Sequence, residues 1–300
     1  MDSPRSSLRL AVSAMATRFE LVIVDDGRGE VALRAIGEAA LATIVECDAA
    51  LSRFRSDGLV ALIEREASSR PVRLDDATFA LFAESLAVQV ASEGRFDIAV
   101  GDAMERWGFH EAAAPSAAAE PRLAPAGAER ARDGRPPAPA FTLDAVARTI
   151  RLARPDARID LGGIAKGHAI DLAASVLREH GVSDALLHGG TSAIAALGAP
   201  PGDGGWAVAI AGLGGPDTMR VVLRNEAMCV SAARGRVVDG RAHIIDPGTG
   251  RPAQTASLAA VIGSSARTCD AWTKPALLEG RSPTGLPRGY RCVVEPSGGG

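Results

Sequence analysis

Lysine is almost missing from this chain. Of its 33 Lys and Arg residues, only Lys166 and Lys274 are lysine. A net positive charge is missing too: the formal charge is −3. That excludes a global electrostatic pull toward nucleic acid or an anionic membrane and leaves only local basic patches open. No long apolar run occurs. The N-terminal LRLAVSAMA is short, and Thr17, Arg18 and Glu20 follow it. No signal peptide, lipobox cysteine or stable membrane insertion is read from this, and a cytoplasmic location is expected. The four cysteines, Cys47, Cys229, Cys269 and Cys292, are scattered without a CxxC pair. They read as reduced core thiols, not as a disulfide frame or zinc site. There is no internal repeat.

What is present suits a soluble globular enzyme with a substantial core: 300 residues, 47% hydrophobic and 23% charged. The preference for arginine over lysine reads as genome composition, which makes the two exceptions informative. Lysine is a compact point charge, arginine a wide planar fork. A lysine kept in such a chain suggests a site that needs the smaller head.

Periodicity predicts a strand at FELVIV (19–24), a helix over 30–50, a loop at LSRFRSDG (51–58) and a helix over 75–93. GRFDIAVG (94–101) is a short apolar segment. Residues 111–140 are mostly Ala, Pro, Arg and Gly and read as a low-complexity surface excursion inside one domain, 1–300. Residues 141–153 read as a hairpin. IDLGG reads as a strand end, followed by a helix over 164–181 closed by Gly181. DALLHGG, WAVAIAG, MRVVLRN, MCVSAA, AHIIDPGTG, SLAAVIGSS and YRCVVE supply further strands, and residues 265–280 a last helix. Strands that follow one another without intervening helices favour an α+β fold with mixed or antiparallel sheets over a doubly wound one.

Lys166 lies in IDLGGIAKGHAID (159–171). Two glycines let a backbone approach a ligand closely, and a helix start beside an ammonium suits a phosphate or pyrophosphate. Neither a Walker loop nor a Rossmann loop fits this stretch. Taken alone, GGIAKG fits a purely structural turn equally well.

Six segments in order bear on this. AMATRFEL resembles M-G-T-x-F-E. LSRFRSDG resembles L-S-x-[YF]-R-x-D-S, and GRFDIAVGDAMERWGF resembles F-D-P-T-V-G-P-L-x-x-x-W-G-F. IDLGGIAKGHAID is close to a central family motif. HIIDPGTGRP is nearly identical to H-I-I-D-P-x-T-G-x-P, and CDAWTKPALLEG resembles A-D-A-L-[SA]-T-A-L-x-x-x-G. Together they resemble the ApbE family, the FAD:protein FMN transferases.

The resemblance implies an ApbE-like, T-fold-like architecture of sheets with packed helices. It implies transfer of FMN from FAD to a threonine or serine hydroxyl of an acceptor flavoprotein, with release of AMP and with Mg²⁺ as the usual helper. It also implies roles. Met15, Phe54, Arg95, Phe96 and Asp97 would line the FAD pocket, Asp160 would contact the cofactor, and Lys166 would face its phosphates. Ile244 and Ile245 would pack on the cofactor. His243 is the candidate base, since only histidine titrates unperturbed near neutral pH. His110, His168, His180 and His188 are given no catalytic part, Asp246 is read as a turn-former, and Asp171 as a cap or brace of its own helix. The metal ligands would be the Gly163 carbonyl, Asp270 and a threonine four residues on.

At that fourth position the chain has Lys274; Thr273 precedes it, and Pro275, expected to kink the helix, follows. Either the Lys274 ammonium stands in for Mg²⁺ and pairs with Asp270, or Lys274 points away and Thr273 substitutes as ligand. The chain also carries SAARGRVVDG where S-G-x-Y-E-R is usual, and HGGTS where N-x-G-G-D is usual. A non-catalytic FAD-binding paralogue, or a pyrophosphatase giving FMN and AMP, therefore stands beside the transferase.

Overall fold

The computed structural model describes residues 6–109, 138–211, 219–233, 237–238, 241–253 and 255–296. The expected excursion at 111–140 lies outside them apart from 138–140. In chain order the first elements are β1 (Ser7–Ala14), β2 (Thr17–Val24), α1 (Glu30–Leu51), α2 (Leu59–Glu66), β3 (Val72–Arg73), α3 (Asp76–Ala91) and α4 (Gly101–Arg106). The middle holds β4 (Phe141–Asp144), β5 (Thr149–Leu152), α5 (Ala165–Glu179), β6 (Ala185–Gly189) and β7 (Ala193–Leu197). Then come β8 (Trp206–Ile210), β9 (Met219–Leu223), β10 (Glu226–Ala232), β11 (Val237–Val238), β12 (Arg241–Ala242), β13 (Ile245–Asp246) and β14 (Arg251–Pro252). The chain closes with β15 (Ala256–Gly263), α6 (Ala266–Glu279) and β16 (Arg291–Pro296).

One sheet organises the molecule. Seven strands run in the order β1-β2-β6-β7-β10-β15-β16, and each neighbouring pair is antiparallel. Side chains alternate across it, as a pleated strand requires. On β2, Phe19, Leu21 and Ile23 face the main core, while Val22 and Val24 turn to the other side. Helices α1, α5 and α6 cover the first face. The β8–β9 hairpin covers the second, through Trp206, Ile210 and Leu223. The α+β reading with antiparallel sheets holds. No described helix is long and apolar enough to cross a membrane.

Four local readings are corrected. LRLAVSA, read as no more than a short apolar run, is strand β1, because its alternating pattern pairs with β2 from Ser7 to Ala14. The short helices α2 and α4 and strand β7 are elements that the sequence periodicity does not mark. IDLGG does not end a regular strand. Residues 157–161 have no regular secondary structure and are held by irregular bonds to the GRFDIAVG segment: Asp160 N donates to Ile98 O (2.7 Å) and Gly101 N to Arg158 O (3.0 Å). Pro275 does not interrupt α6, which runs on to Glu279. Burial of Ala271, Trp272, Ala276 and Leu277 holds the helix across the missing N–H. It ends at Gly280, whose φ of 66° is the left-handed conformation of a helix C-cap.

Candidate functional site

Helices α5 and α6 meet at their N-terminal ends. Gly167 is what lets them: a Cβ there would lie 2.2 Å from the backbone oxygen of Ala266. One turn further along α5, Asp171 reaches across to the start of α6. It accepts from Ser265 Oγ (2.6 Å), Ala266 N (2.8 Å) and Arg267 N (3.0 Å). Asp171 therefore caps the neighbouring helix and not its own, satisfying donors that a helix start leaves open. Burial still raises its pKa against the lowering effect of those bonds.

The close approach brings Asp270 against the glycine–lysine turn. Asp270 Oδ2 accepts from Gly167 N (3.1 Å). Its Oδ1 takes the Lys274 ammonium at 2.5 Å, and Lys274 Nζ also donates to the Asp270 backbone oxygen (2.9 Å). Both side chains are largely sealed from solvent, with 15% of Lys274 and 5% of Asp270 exposed. Burial pushes the lysine pKa below its usual value; the Asp270 carboxylate opposes this, and the Lys166 charge adds to it. The two lysines of the chain thus share one electrostatic neighbourhood.

Gly163 lies against the Lys274 stem. A Cβ on it would sit 3.3 Å from Lys274 Cε and 3.4 Å from Phe96 Cε2. Lys166 stands half-buried in the first turn of α5 and has no carboxylate within ion-pair distance among the described residues. The structure therefore gathers Phe96, Gly163, Lys166, Gly167, Asp270 and Lys274 at one place.

This donor set does not fit Mg²⁺. Both Asp270 oxygens are engaged, one by an ammonium that can only donate. Thr273, the alternative ligand, is 0% exposed, and its hydroxyl lies 2.6 Å from Asp270 O and 2.7 Å from Ser231 Oγ.

A second, open group flanks the first. Arg53 pairs with Glu105 (2.6 Å) and contacts Asp160 (3.5 Å), while Asp160 Oδ1 accepts from Gly162 N (2.7 Å). Beside them the Phe54 ring is 72% exposed, with the Arg53 guanidinium 5.9 Å from its centroid. Met15 is tied to the end of α1 by its N–H, which donates to Asp48 Oδ2 (2.9 Å).

Other expected site residues diverge. Arg95 leaves the Arg95-Phe96-Asp97 segment toward a cavity of about 580 Å³ between the ends of α3 and α6, shared with Glu279 and Arg281. Asp97 is buried and accepts from Ala99 N (2.8 Å), bracing its own loop. Ile244 and Ile245, expected as a pair on the cofactor, point into different cores. Ile244 packs with Ala276, Leu277 and Leu278 of α6, and Ile245 with Ala103 and Phe109. Consecutive residues of an extended segment face opposite ways, so the two cannot share one surface. His243 is half-buried just before them. His168 is buried against Arg267 (3.3 Å), with its pKa lowered to about 4, chiefly by burial. His110 lies outside the described residues. Sequence reasoning missed Arg53, although it sits within the LSRFRSDG motif, and missed the packing role of Gly167, whose only signal was a glycine inside a helix.

The α+β fold thus brings a glycine turn and two ammonium groups together, with the Arg53–Asp160 group and the exposed Phe54 ring beside Gly162. The chain belongs to the ApbE family, whose model matches residues 15–284. It is 31% identical over 219 residues to the FAD:protein FMN transferase of Rhodobacter capsulatus, covering 68% of this chain and 39% of that protein. It is 31% identical over 222 residues to the FAD:protein FMN transferase of Treponema pallidum, covering 68% of this chain and 60% of that one. The matches thus span less than two thirds of the length of these curated relatives. Among solved structures, the ApbE protein of Thermotoga maritima aligns with a TM-score of 0.79 at 23% identity, over 98% of this chain and 96% of that one. The flavin transferase ApbE of Vibrio cholerae aligns at 0.77 and 22% identity, over 97% and 98%. These structures establish the fold.

Proposed function

We propose that this protein, acting as one domain over 1–300, transfers the FMN half of FAD to a threonine or serine hydroxyl of an acceptor flavoprotein. The shared electrostatic neighbourhood of Lys166 and Lys274, with Lys274 beside Gly163, carries this reading. A pyrophosphate needs fixed positive charge where negative charge builds as the P–O bond breaks. Phe54, exposed beside Arg53 and Asp160, supports a flavin-stacking role. The activity named for the Rhodobacter capsulatus and Treponema pallidum relatives agrees.

In the reaction, the acceptor hydroxyl oxygen attacks the FMN-side phosphorus. A new O–P bond forms, and the bond to the bridging oxygen breaks with its electron pair leaving on AMP. The hydroxyl proton passes to a base, for which His243 is the candidate. Asp270 holds Lys274 in place, and the N–H of Gly167 holds Asp270.

The test is incubation with FAD and an acceptor flavoprotein domain, following AMP release and flavin fluorescence on the acceptor in a denaturing gel. Labelled acceptor with one AMP per flavin is expected. AMP without label would indicate hydrolysis. FAD bound without AMP, across several acceptors, would indicate a non-catalytic flavin-binding protein.

A further inference from the structure

The family's metal position is filled in this chain by its own side chain. Mg²⁺ demands near-octahedral oxygen ligands at about 2.0–2.1 Å. Here the Lys274 ammonium sits 2.5 Å from Asp270 Oδ1, on the oxygen that a metal would need. A protonated amine offers no lone pair, and a divalent ion beside it meets like-charge repulsion. The Lys274 side chain is 15% exposed, and its Cε lies 3.3 Å from where a Cβ on Gly163 would stand. Thr273 offers no replacement, because its hydroxyl is turned into a buried pair with Ser231.

We infer that this protein works without a divalent cation at Asp270, the Lys274 ammonium holding that position and giving the pyrophosphate its fixed positive charge. The inference rests on the transfer reading for what the charge acts upon; that the position excludes a metal rests on geometry alone. Two of the ammonium's three N–H bonds go to Asp270, and the third remains to meet a phosphate oxygen. With Lys166 alongside, two positive charges and one carboxylate leave the pocket net cationic. This also accounts for lysine at these two positions in a chain that otherwise uses arginine: a point charge fits beside Gly163 where a planar fork would not.

Two measurements separate this inference from the transfer reading. The first uses Mn²⁺ as probe, followed by its EPR signal during titration of the full chain with and without FAD. No stoichiometric uptake is expected in the wild type. In Lys274→Thr, which restores an oxygen ligand and removes the charge, one Mn²⁺ per chain is expected in the presence of FAD. One tightly bound Mn²⁺ per wild-type chain would overturn the inference, whether or not the variant folds. The second compares AMP release in EDTA and in Mg²⁺. Wild-type rates agreeing within about twofold are expected, whereas Lys274→Thr should lose about tenfold or more in EDTA and recover with Mg²⁺. Lys274→Met, lacking both charge and ligand, should be slow in both buffers. Wild-type activity that vanishes in EDTA and returns with Mg²⁺ would sink the idea. If AMP is released in neither buffer, the transfer reading falls, and the Mn²⁺ titration alone decides: absent uptake upholds metal exclusion, stoichiometric uptake overturns it.

Discussion

The two halves of the site are built in opposite ways. At Lys274 the ammonium is held by Asp270, Asp270 is held by Gly167, and 15% of the lysine side chain is exposed. At Phe54, next to Arg53, which pairs with Glu105 and contacts Asp160, an aromatic ring is 72% exposed. The closed half is set before any ligand arrives, so its charge costs no reorganisation at the moment of reaction. The open half is completed only by what binds. The same substitution therefore has different consequences in the two places: stability is at stake in the first, affinity in the second.

The largest effect should come from breaking the closed half. Asp270→Ala leaves a buried ammonium without its counter-ion and the Gly167 N–H without its acceptor. Removing one partner of a buried pair costs about 3–5 kcal/mol, and chemical denaturation should show that loss as a lower midpoint. An Asp270→Ala protein as stable as wild type would mean the pair is solvated and the contrast with the open half is false.

Next in size is a pH effect from the same helix junction. His168 is buried beside Arg267, and its pKa is lowered to about 4 from an ordinary 6.5. Between these values the unfolded chain binds the proton more readily than the folded one. Stability is therefore complete above about pH 6.5 and falls as pH drops toward 4, by about 3 kcal/mol in all. Denaturation across pH 4 to 7 should show that slope in the wild type and a flatter profile in His168→Gln. Equal slopes would place the imidazole in a more solvated setting than the structure gives it.

The open half should respond through ligand alone. Phe54→Ala removes an exposed ring, so unfolding should change by less than about 0.5 kcal/mol. If flavin stacks there, FAD affinity should fall about fivefold, the equivalent of roughly 1 kcal/mol of aromatic contact. Equilibrium titration of FAD checks it. An unchanged Kd would remove Phe54 from the site and leave the closed half as the only recognition element found.

How much of this was legible in the sequence follows the same division. The sheet and helices showed through periodicity because alternation and the helical repeat record which face is buried, as on β2 and α1. Strand β1 escaped because its outer face is exposed at the sheet edge and its run is short. The glycine–lysine turn and Asp270 were visible as motifs. Their mutual contact was not, since Gly167 and Asp270 are 103 residues apart and only the close crossing of α5 and α6 joins them. The Ile244–Ile245 pair misled for a related reason: a two-residue motif does not state that its side chains point apart.

The smallest expected effect comes from the β1–β2 turn that carries Met15. Met15 and Ala16 both have positive φ, 49° and 56°, in a two-residue loop between paired Ala14 and Thr17. Such a turn favours glycine or asparagine, and each ordinary residue held there costs about 1–2 kcal/mol. The Met15 N–H bond to Asp48 helps keep the turn in that form. Ala16→Gly relieves one of the two strained positions but adds freedom to the unfolded chain, so a net gain of about 0.5–1 kcal/mol is expected. That corresponds to a rise of roughly 1–3 °C in Tm by calorimetry. Because the backbone path and the Met15 anchor are retained, FAD affinity should not change. A gain in stability accompanied by weaker FAD binding would instead mean that the strained turn is itself part of the ligand site, joining Met15 to the pre-set half of the pocket.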